Sequence, residues 1–272
     1  LTDTETTGLN PEKSYILSNG SILYNTITKK YSEFYEVLNW DELFNNNSFI
    51  IPEDTIKVHN ISKDVMHNEG INPIKSMSNF YKWIDSFCKE NHNIDVEDSD
   101  RLNAVVAFNL PFDLNMFISN LKYLVDKYCS NYEENNEDKD NVIKLLNLFS
   151  KEYILGLVDP NDPNNDKPLF IDSLIIDRIF NFEVDGEKVY HDLQSVGERY
   201  GIPVDPNAHN AIADTRRTFK VFEIQLQEIE QNMESLDQNF ENRLIRRYNR
   251  NQEYWGKKKY LDYLGTKMVA VS

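Results

Sequence analysis

The sequence predicts an α/β fold, because strand-like and helix-like stretches alternate along it. Tyr15 to Tyr24 and Tyr31 to Leu38 are rich in Ile, Leu, Tyr and Phe, which is typical of β-strands. Ser76 to Lys89 carries apolar residues at helical spacing. Ala104 to Phe108 is a short apolar run that ends just before Pro111, as a buried strand leading into a helix would.

The second half of the chain continues this alternation. Two strongly polar stretches, Ser130 to Asp140 and Asp159 to Lys167, are predicted to be loops, with a helix from Val142 to Lys151 between them. Further elements follow: a strand at Leu169 to Ile171, helices at Ser173 to Phe180 and Asp192 to Tyr200, and one long helix from Ala211 to about Tyr248.

The composition indicates a globular protein. The 272 residues include 15 Tyr and 15 Phe, too many aromatic residues for a disordered acidic tail. The formal net charge of -16 weighs against non-specific binding to nucleic acid, which depends on clustered Lys and Arg. Any nucleic-acid function would therefore have to rest on local motifs.

The apolar runs and the cysteines indicate the compartment. No apolar run approaches the roughly 20 residues of a membrane-spanning helix, and no secretory signal segment opens the chain. Cys88 and Cys129 lack disulfide-framework or metal-site spacing, so they are predicted to be free thiols in a reducing compartment. We expect a cytoplasmic protein, bacterial or phage, with no membrane partner.

The first motif with chemical content is Asp3-Thr-Glu5. Side chains two residues apart in a strand project to one face, so these two carboxylates would converge there. Hard cations such as Mg²⁺ are held by such oxygen ligands. The alternative from these residues alone is a solvated surface pair.

The second motif surrounds Asp113, which lies among apolar and aromatic residues. An unpaired carboxylate in such a setting is costly unless a partner or a metal compensates it. The alternative is that Asp113 caps a helix that begins near Pro111.

The third motif places His209 five positions before Asp214. If a helix starts near Asn210, Asp214 lies in an early turn and His209 at the entry, free to swing over the same site. The alternative is a capping or core histidine.

Together, Asp3 to Leu9, Asn109 to Asp113 and His209 to Asp214 resemble the three motifs of the DEDDh family of 3′–5′ exonucleases. That family includes the proofreading subunit of bacterial replicative polymerases (DnaQ-like), RNase T and oligoribonuclease. Three other segments are also similar to the family, with Asn60 where Gly is usual: Val58 to Met66, Phe170 to Leu174 and Leu193 to Ile202. The resemblance covers about Leu1 to Phe222.

The resemblance implies an RNase H-like exonuclease fold with a mixed five-stranded sheet flanked by helices. Asp3, Glu5, Asp113 and Asp214 would hold two divalent ions, Mg²⁺ with Mn²⁺ able to substitute. His209 would act as the general base, releasing nucleoside 5′-monophosphates.

The resemblance also implies residues for the substrate. Thr6 and Leu9 would contact the terminal nucleotide, and His59, Asn109 and Phe112 would line the path of the strand. The expected substrate is single-stranded or frayed DNA with a free 3′ end, in proofreading or end trimming. The alternatives are an RNA-trimming or oligonucleotide-degrading enzyme and a catalytically silent docking module, although the complete residue set argues against silence.

The sequence departs from the family at both ends. We expect residues 1–222 to form the exonuclease domain. Residues 223–267 are predicted to be a helical and basic extension, and residues 268–272 a segment that could complete the first strand. We expect either a circular permutation that docks Val269 to Ser272 beside Leu1, or a truncated first strand with an unrelated end.

The extension itself has two features. Its long helix is predicted to pack on its own domain, the alternative being a coiled-coil seam for a DNA polymerase or another replication protein. Arg243 to Lys259 carries a net charge of +6 with interleaved aromatics, counted as seven cations and one Glu. This segment is either a single-strand-binding surface or a solvated face.

Overall fold

The structure is a computed structural model. It describes residues 1–44, 49–92, 104–129, 136–150, 154–155, 169–181, 183–184, 187–206 and 208–232. These residues group into two compact units. The first unit contains the described residues within 1–99, 111–151 and 205–216. The second contains those within 100–110, 152–204 and from 217 onward.

The first unit is built on an antiparallel sheet with strand order β1-β2-β3. Its strands are β1 (Thr2–Thr6), β2 (Ile16–Tyr24) and β3 (Tyr31–Val37). The strands predicted at Tyr15 to Tyr24 and Tyr31 to Leu38 are therefore confirmed, each to within one residue.

Five α-helices begin between residues 53 and 137. They are α1 (Glu53–His59), α2 (Lys63–Glu69), α3 (Pro73–His92), α4 (Leu110–Leu124), which a π-helical turn at Val125–Cys129 continues, and α5 (Glu137–Phe149). The helix predicted at Ser76 to Lys89 is confirmed and is longer at both ends. Helices α1 and α2 were not predicted, because each spans only two turns.

Helix α5 corrects one predicted loop. The polar stretch from Ser130 to Asp140 was expected to be a loop, but its last four residues are helical. Asn136 caps the helix, since its side-chain oxygen accepts from the backbone N–H groups of Asp138 and Lys139. Acidic residues in a first turn also favour a helix N-terminus, so a run of acids can begin a helix.

Stacked aromatic rings join the helices of the first unit. Phe80 of α3 stacks on Phe117 of α4 with 5.7 Å between ring centroids, and Phe117 stacks on Phe149 of α5 at 5.0 Å. All three side chains are buried. This packing holds α4, which carries Asp113, against two other helices.

The second unit contains a parallel sheet with order β4-β6-β5. Its elements are β4 (Ala104–Ala107), β5 (Ile154–Leu155), β6 (Leu169–Asp172), α6 (Ser173–Phe180), the hairpin β7 (Glu183–Val184) and β8 (Glu187–Lys188), and α7 (Leu193–Arg199). Helix α8 (Ala211–Asn232) gives Ala211 to Arg216 to the first unit and its remainder to the second. The helix predicted at Ser173 to Phe180 is confirmed to the residue.

The sheets differ in detail from the expected mixed five-stranded sheet. Among the described residues, the ladders form a separate antiparallel sheet, a separate parallel sheet and a hairpin. Within the described ranges, β1 pairs with β2, and β4 pairs with β6. The α/β class itself is as predicted.

A buried carboxylate organises part of the second unit. Asp177 is fully buried and accepts two hydrogen bonds from the guanidinium of Arg199, at 2.9 and 2.7 Å. The imidazole of His191 lies 2.6 Å from the same carboxylate, and Asn181 donates to it at 3.0 Å. The network ties the end of α6 to α7.

Several predictions concern residues outside the described ranges. These are the loop at Asp159 to Lys167, the long helix beyond Asn232, the basic stretch from Arg243 to Lys259 and the strand completion at residues 268–272. The boundaries at residues 222 and 267 likewise stay predictions. In the part of the chain that the structure covers, no helix combines the length and apolar character needed to span a membrane. Cys88 and Cys129 are free, as predicted, and both are buried.

Helix α8 begins directly against β2. A Cβ atom on Gly20 would lie 2.2 Å from backbone atoms of Ala211 and Ile212, a distance that no side chain tolerates. The Thr215 hydroxyl lies 2.8 Å from the carbonyl oxygen of Gly20 and 2.7 Å from that of Ala211, so its proton bonds the helix to the strand or to itself. Glycine at position 20 is therefore required for this close approach.

We expect Gly20→Ala to lower the free energy of unfolding by about 3 kcal/mol, because the added methyl group must push the backbone of α8 away from β2. Urea denaturation measures this change. The matched control is Gly201→Ala, whose Cβ meets nothing within 4 Å and costs only the left-handed backbone strain at φ 70°, about 1 kcal/mol. A loss for Gly20→Ala no larger than for Gly201→Ala would contradict the close approach.

Candidate active site

Strand β1 carries two acidic side chains on one face. Along the strand, Thr2, Thr4 and Thr6 are buried, while Asp3 and Glu5 alternate with them and are partly exposed. Because successive side chains of a strand point to opposite faces, the two carboxylates share a face. The predicted geometry of this pair is observed.

A third carboxylate reaches this face from helix α8. Asp214 lies in the first turn of α8, which packs against β2 at Gly20. One carboxylate oxygen each from Asp3, Glu5 and Asp214 lie within 4.8 Å of one another. Residues of the first and third sequence motifs, which lie about 200 positions apart in the sequence, therefore converge in space.

The carboxylates raise each other's pKa values. Burial, followed by the charges of Asp113, Glu5 and Asp214, holds the pKa of Asp3 well above its ordinary range. Burial, followed by Asp214 and Asp113, raises the pKa of Glu5 to about 8. Without a compensating cation, burial and like charges therefore favour the protonated forms of Asp3 and Glu5 in the folded protein.

Asp113 approaches the cluster from helix α4. Its carboxylate is buried and accepts a 2.7 Å hydrogen bond from the hydroxyl of Thr4, which lies between Asp3 and Glu5 on β1. Asp113 contributes to the raised pKa values of both neighbours, although it lies outside the group of three whose oxygens are within 4.8 Å. Thr4 therefore orients one oxygen of Asp113.

A buried amide fixes helix α4 to the sheet. Asn120 accepts from the backbone N–H of Ile16 at 3.0 Å and donates to the carbonyl oxygens of Ser14 and Met116, each at 3.0 Å. These bonds join α4 to the start of β2. They set the distance between the helix that carries Asp113 and the sheet that carries the acidic pair.

His209 lies in the turn before α8. Its backbone has a φ of 66°, and its N–H donates to Oδ2 of Asp214 at 3.1 Å. The side chain is exposed, so His209 is not a core residue. Asn210, whose side-chain oxygen accepts from the N–H of Ile212 at 3.2 Å, caps the helix instead. The backbone of His209 is thus coupled directly to one of the acids.

Three residues predicted to meet the substrate lie at the end of β1, in the loop after it and in the first turn of α4. The hydroxyl of Thr6 donates to the carbonyl oxygen of Gly8 at 2.7 Å and is buried in that turn. Leu9 is 84% exposed, which is unusual for a large apolar side chain. Phe112 is partly exposed in the first turn of α4.

The other two predicted substrate residues are His59 and Asn109. His59 is buried, and its Nδ1 accepts from the N–H of Ile61 at 3.0 Å, so the proton of the neutral ring is on Nε2. Burial lowers the pKa of His59, opposed by a contact with the Thr6 backbone. Asn109 belongs to the second unit, with a φ of 68° and its N–H donating to Asp172 at 3.0 Å.

Sequence reasoning missed three residues that contact this site. Thr4 holds Asp113, and its position between Asp3 and Glu5 was the available signal. Asn210 bonds through its side-chain NH₂ to the hydroxyl of Tyr35 at 3.0 Å. Nothing in the sequence marks Tyr35, because its role depends on strand register.

The donor set fits a hard divalent cation. Three carboxylates, those of Asp3, Glu5 and Asp214, have oxygens within 4.8 Å of one another. Burial and the neighbouring negative charges hold the pKa values of Asp3 and Glu5 above their ordinary range, which a bound cation would offset. All the donors are oxygen atoms, which Mg²⁺ and Mn²⁺ prefer over the soft metals that thiolates bind.

Comparison with known proteins identifies the fold. No protein-family model matches the chain, and no curated protein matches it. Exonuclease I matches with a TM-score of 0.51 over 86% of this chain at 13% identity. Cell-death related nuclease 4 (CRN-4) matches with a TM-score of 0.51 over 84% at 12% identity. The chain has an RNase H-like exonuclease fold.

The RNase H-like fold class predicted from the sequence is thereby confirmed. The chain corresponds to 42% of exonuclease I and to 62% of CRN-4, less than two thirds of either protein. The structural similarity therefore extends over only part of each of those two proteins.

The raised pKa of Glu5 predicts how stability varies with pH in the absence of divalent ions. The unfolded chain loses the Glu5 proton near the ordinary value of 4.5, whereas the folded protein keeps it until about pH 8. Between these values the folded state binds more protons, so the free energy of unfolding falls as pH rises. In EDTA, we expect a lower melting temperature at pH 8 than at about pH 5.5.

The same argument predicts the effect of metal. Because Mg²⁺ binds ionised carboxylates, adding it should raise the melting temperature most at alkaline pH. Glu5→Gln should flatten the pH dependence, while Glu12→Gln, an exposed control on the loop after β1, should leave it unchanged. A melting temperature in EDTA that is constant or rises with pH, and does not respond to Mg²⁺, would contradict the charge cluster.

Proposed function

We propose that the protein is a divalent-metal-dependent 3′–5′ exonuclease that releases nucleoside 5′-monophosphates. The observation that carries the proposal is the convergence of Asp3, Glu5 and Asp214 within 4.8 Å on one face of the sheet. A second observation supports it, since the backbone of His209 bonds directly to Asp214.

Asp3, Glu5 and Asp214 would hold the metal, and Asp113 would complete a site for two Mg²⁺ or Mn²⁺ ions. Bound there, divalent ions would supply Lewis-acid chemistry for phosphodiester hydrolysis. The protein's own contribution is to hold the four carboxylates in place. Thr4 orients Asp113, and the contact of α8 with Gly20 places Asp214.

His209 is proposed as the general base that accepts a proton from the attacking water. Imidazole suits this task because it titrates near neutral pH. The exposed ring is open to substrate, while the backbone bond to Asp214 keeps the residue beside the acids. His209 therefore receives the proton without itself being a metal ligand.

The proposed substrate is single-stranded or frayed DNA with a free 3′ end, with RNA as the alternative. Leu9, 84% exposed, is suited to pack on the terminal base, and Thr6 orders the turn that presents it. His59, Asn109 and Phe112 are proposed to line the strand. Proofreading or end trimming, with a polymerase or another replication protein as partner, is the proposed biological role.

The test is release of mononucleotides from 3′-labelled single-stranded DNA, duplex DNA and RNA in Mg²⁺ or Mn²⁺. Asp3→Ala and His209→Ala are each expected to lower the rate by at least about 100-fold, because one removes a metal ligand and the other the base. Mononucleotide release is followed by chromatography.

Matched controls are Asp54→Ala, an exposed aspartate of α1, and His67→Ala, an exposed histidine of α2. Both should retain wild-type rates. The proposal fails if the wild type releases no mononucleotide from any substrate, and the site assignment fails if Asp3→Ala keeps full activity.

A further inference from the structure

Tyr35 lies on the same face of the sheet as the acidic pair. In the strand register, Asp3 pairs with Gly20, and Gly20 pairs with Tyr35. Residues directly opposite in a ladder project to one face, so Tyr35 and Asp3 flank Gly20. Helix α8 begins against that glycine. Tyr35 is therefore beside the turn that leads into the helix.

The hydroxyl of Tyr35 is joined to Asn210. The side-chain oxygen of Asn210 accepts from the backbone N–H of Ile212, which can only donate. That bond determines the orientation of the amide, and its NH₂ group must face Tyr35, to which it donates at 3.0 Å. The amide oxygen of Asn210 thus caps α8, while its NH₂ group bonds to Tyr35 of the sheet.

His209, next to Asn210, has a strained backbone. Its φ of 66° is in the left-handed region, which costs a residue with a Cβ about 1 kcal/mol. Such a conformation persists only when the surroundings hold it. On one side the N–H of His209 bonds to Asp214, and on the other the neighbouring Asn210 is tied to Tyr35.

We propose that Tyr35 is a positioning residue for His209: through Asn210 it holds the turn in which the general base approaches the acids. The inference rests on the proposed function and adds a residue to it that no sequence motif contains.

Other contacts keep α8 in place without Tyr35. The guanidinium of Arg216 forms two hydrogen bonds with the carboxylate of Glu33, and the hydroxyl of Thr215 contacts Gly20. Burial raises the pKa of Tyr35, so the phenol stays protonated and accepts from Asn210 as a neutral group. Removing the hydroxyl should therefore loosen the His209 turn and leave the helix docked.

The test uses Tyr35→Phe and Asn210→Ser in the full-length protein, with steady-state release of mononucleotides from single-stranded DNA. Serine retains a cap for Ile212 but is too short to reach Tyr35. Each variant should lower kcat about tenfold, with KM within about twofold, because the base is misplaced while substrate binding is kept. Mn²⁺ affinity, measured by calorimetry, should equal that of the wild type.

The double variant shows whether the two substitutions act through the Tyr35–Asn210 hydrogen bond or independently of each other. If one hydrogen bond carries both effects, Tyr35→Phe combined with Asn210→Ser should be no slower than either single variant. Tyr31→Phe, the same change on the same face of β3, is the matched control and should be as fast as the wild type.

Wild-type kcat for Tyr35→Phe, or losses that multiply in the double variant, would overturn the inference while leaving the proposed function intact. An inactive wild type would instead overturn the proposed function. Circular dichroism at the assay temperature verifies that each variant is folded.

Discussion

Mutual repulsion among carboxylates is the constraint on which the rest of the site depends. Asp3, Glu5 and Asp214 have oxygens within 4.8 Å of one another. At that distance each ionised pair repels by about 3 kcal/mol at an effective dielectric constant of about 20. Left to itself, the chain would separate these groups or keep them protonated. Their convergence therefore has to be enforced by packing elsewhere in the first unit.

One contact brings Asp214 to the acidic pair, and two others hold Asp113 nearby. The absence of a side chain at Gly20 lets α8 approach β2 closely and brings Asp214 to the acidic face of β1. Asn120 ties α4 to the start of β2, and Thr4 then holds the carboxylate of Asp113. The same close packing that forces like charges together would favour the binding of a divalent cation, since the cation would offset the repulsion.

Local sequence patterns predict those parts of the fold that depend on neighbouring residues, namely the individual strands and helices. Alternation predicts that Asp3 and Glu5 share a face, and the apolar spacing predicts Ser173 to Phe180 as a helix; both are observed. The start of α5 was missed because Asn136 and the acidic residues of the first turn resemble a polar loop in the sequence, although both the cap and the acids favour a helix N-terminus. Strand pairing into two separate sheets depends on long-range hydrogen bonds that no local pattern encodes.

The residues of the candidate site likewise include some that the sequence reveals and some that it does not. Its acids and His209 are recognisable because their spacing resembles a known family. Tyr35 is not, because its position opposite Gly20 follows from strand register, and its link to Asn210 follows from a left-handed turn 175 residues away in sequence. Residues that position a catalytic group through another residue leave little trace in a single sequence.

The most direct test of the account is the location of Mn²⁺ in crystals of the protein, from its anomalous scattering. The account predicts Mn²⁺ within coordination distance of carboxylate oxygens of Asp3, Glu5 and Asp214. It would be contradicted by crystals in which these three side chains are ordered and Mn²⁺ at saturating concentration is bound elsewhere or not at all.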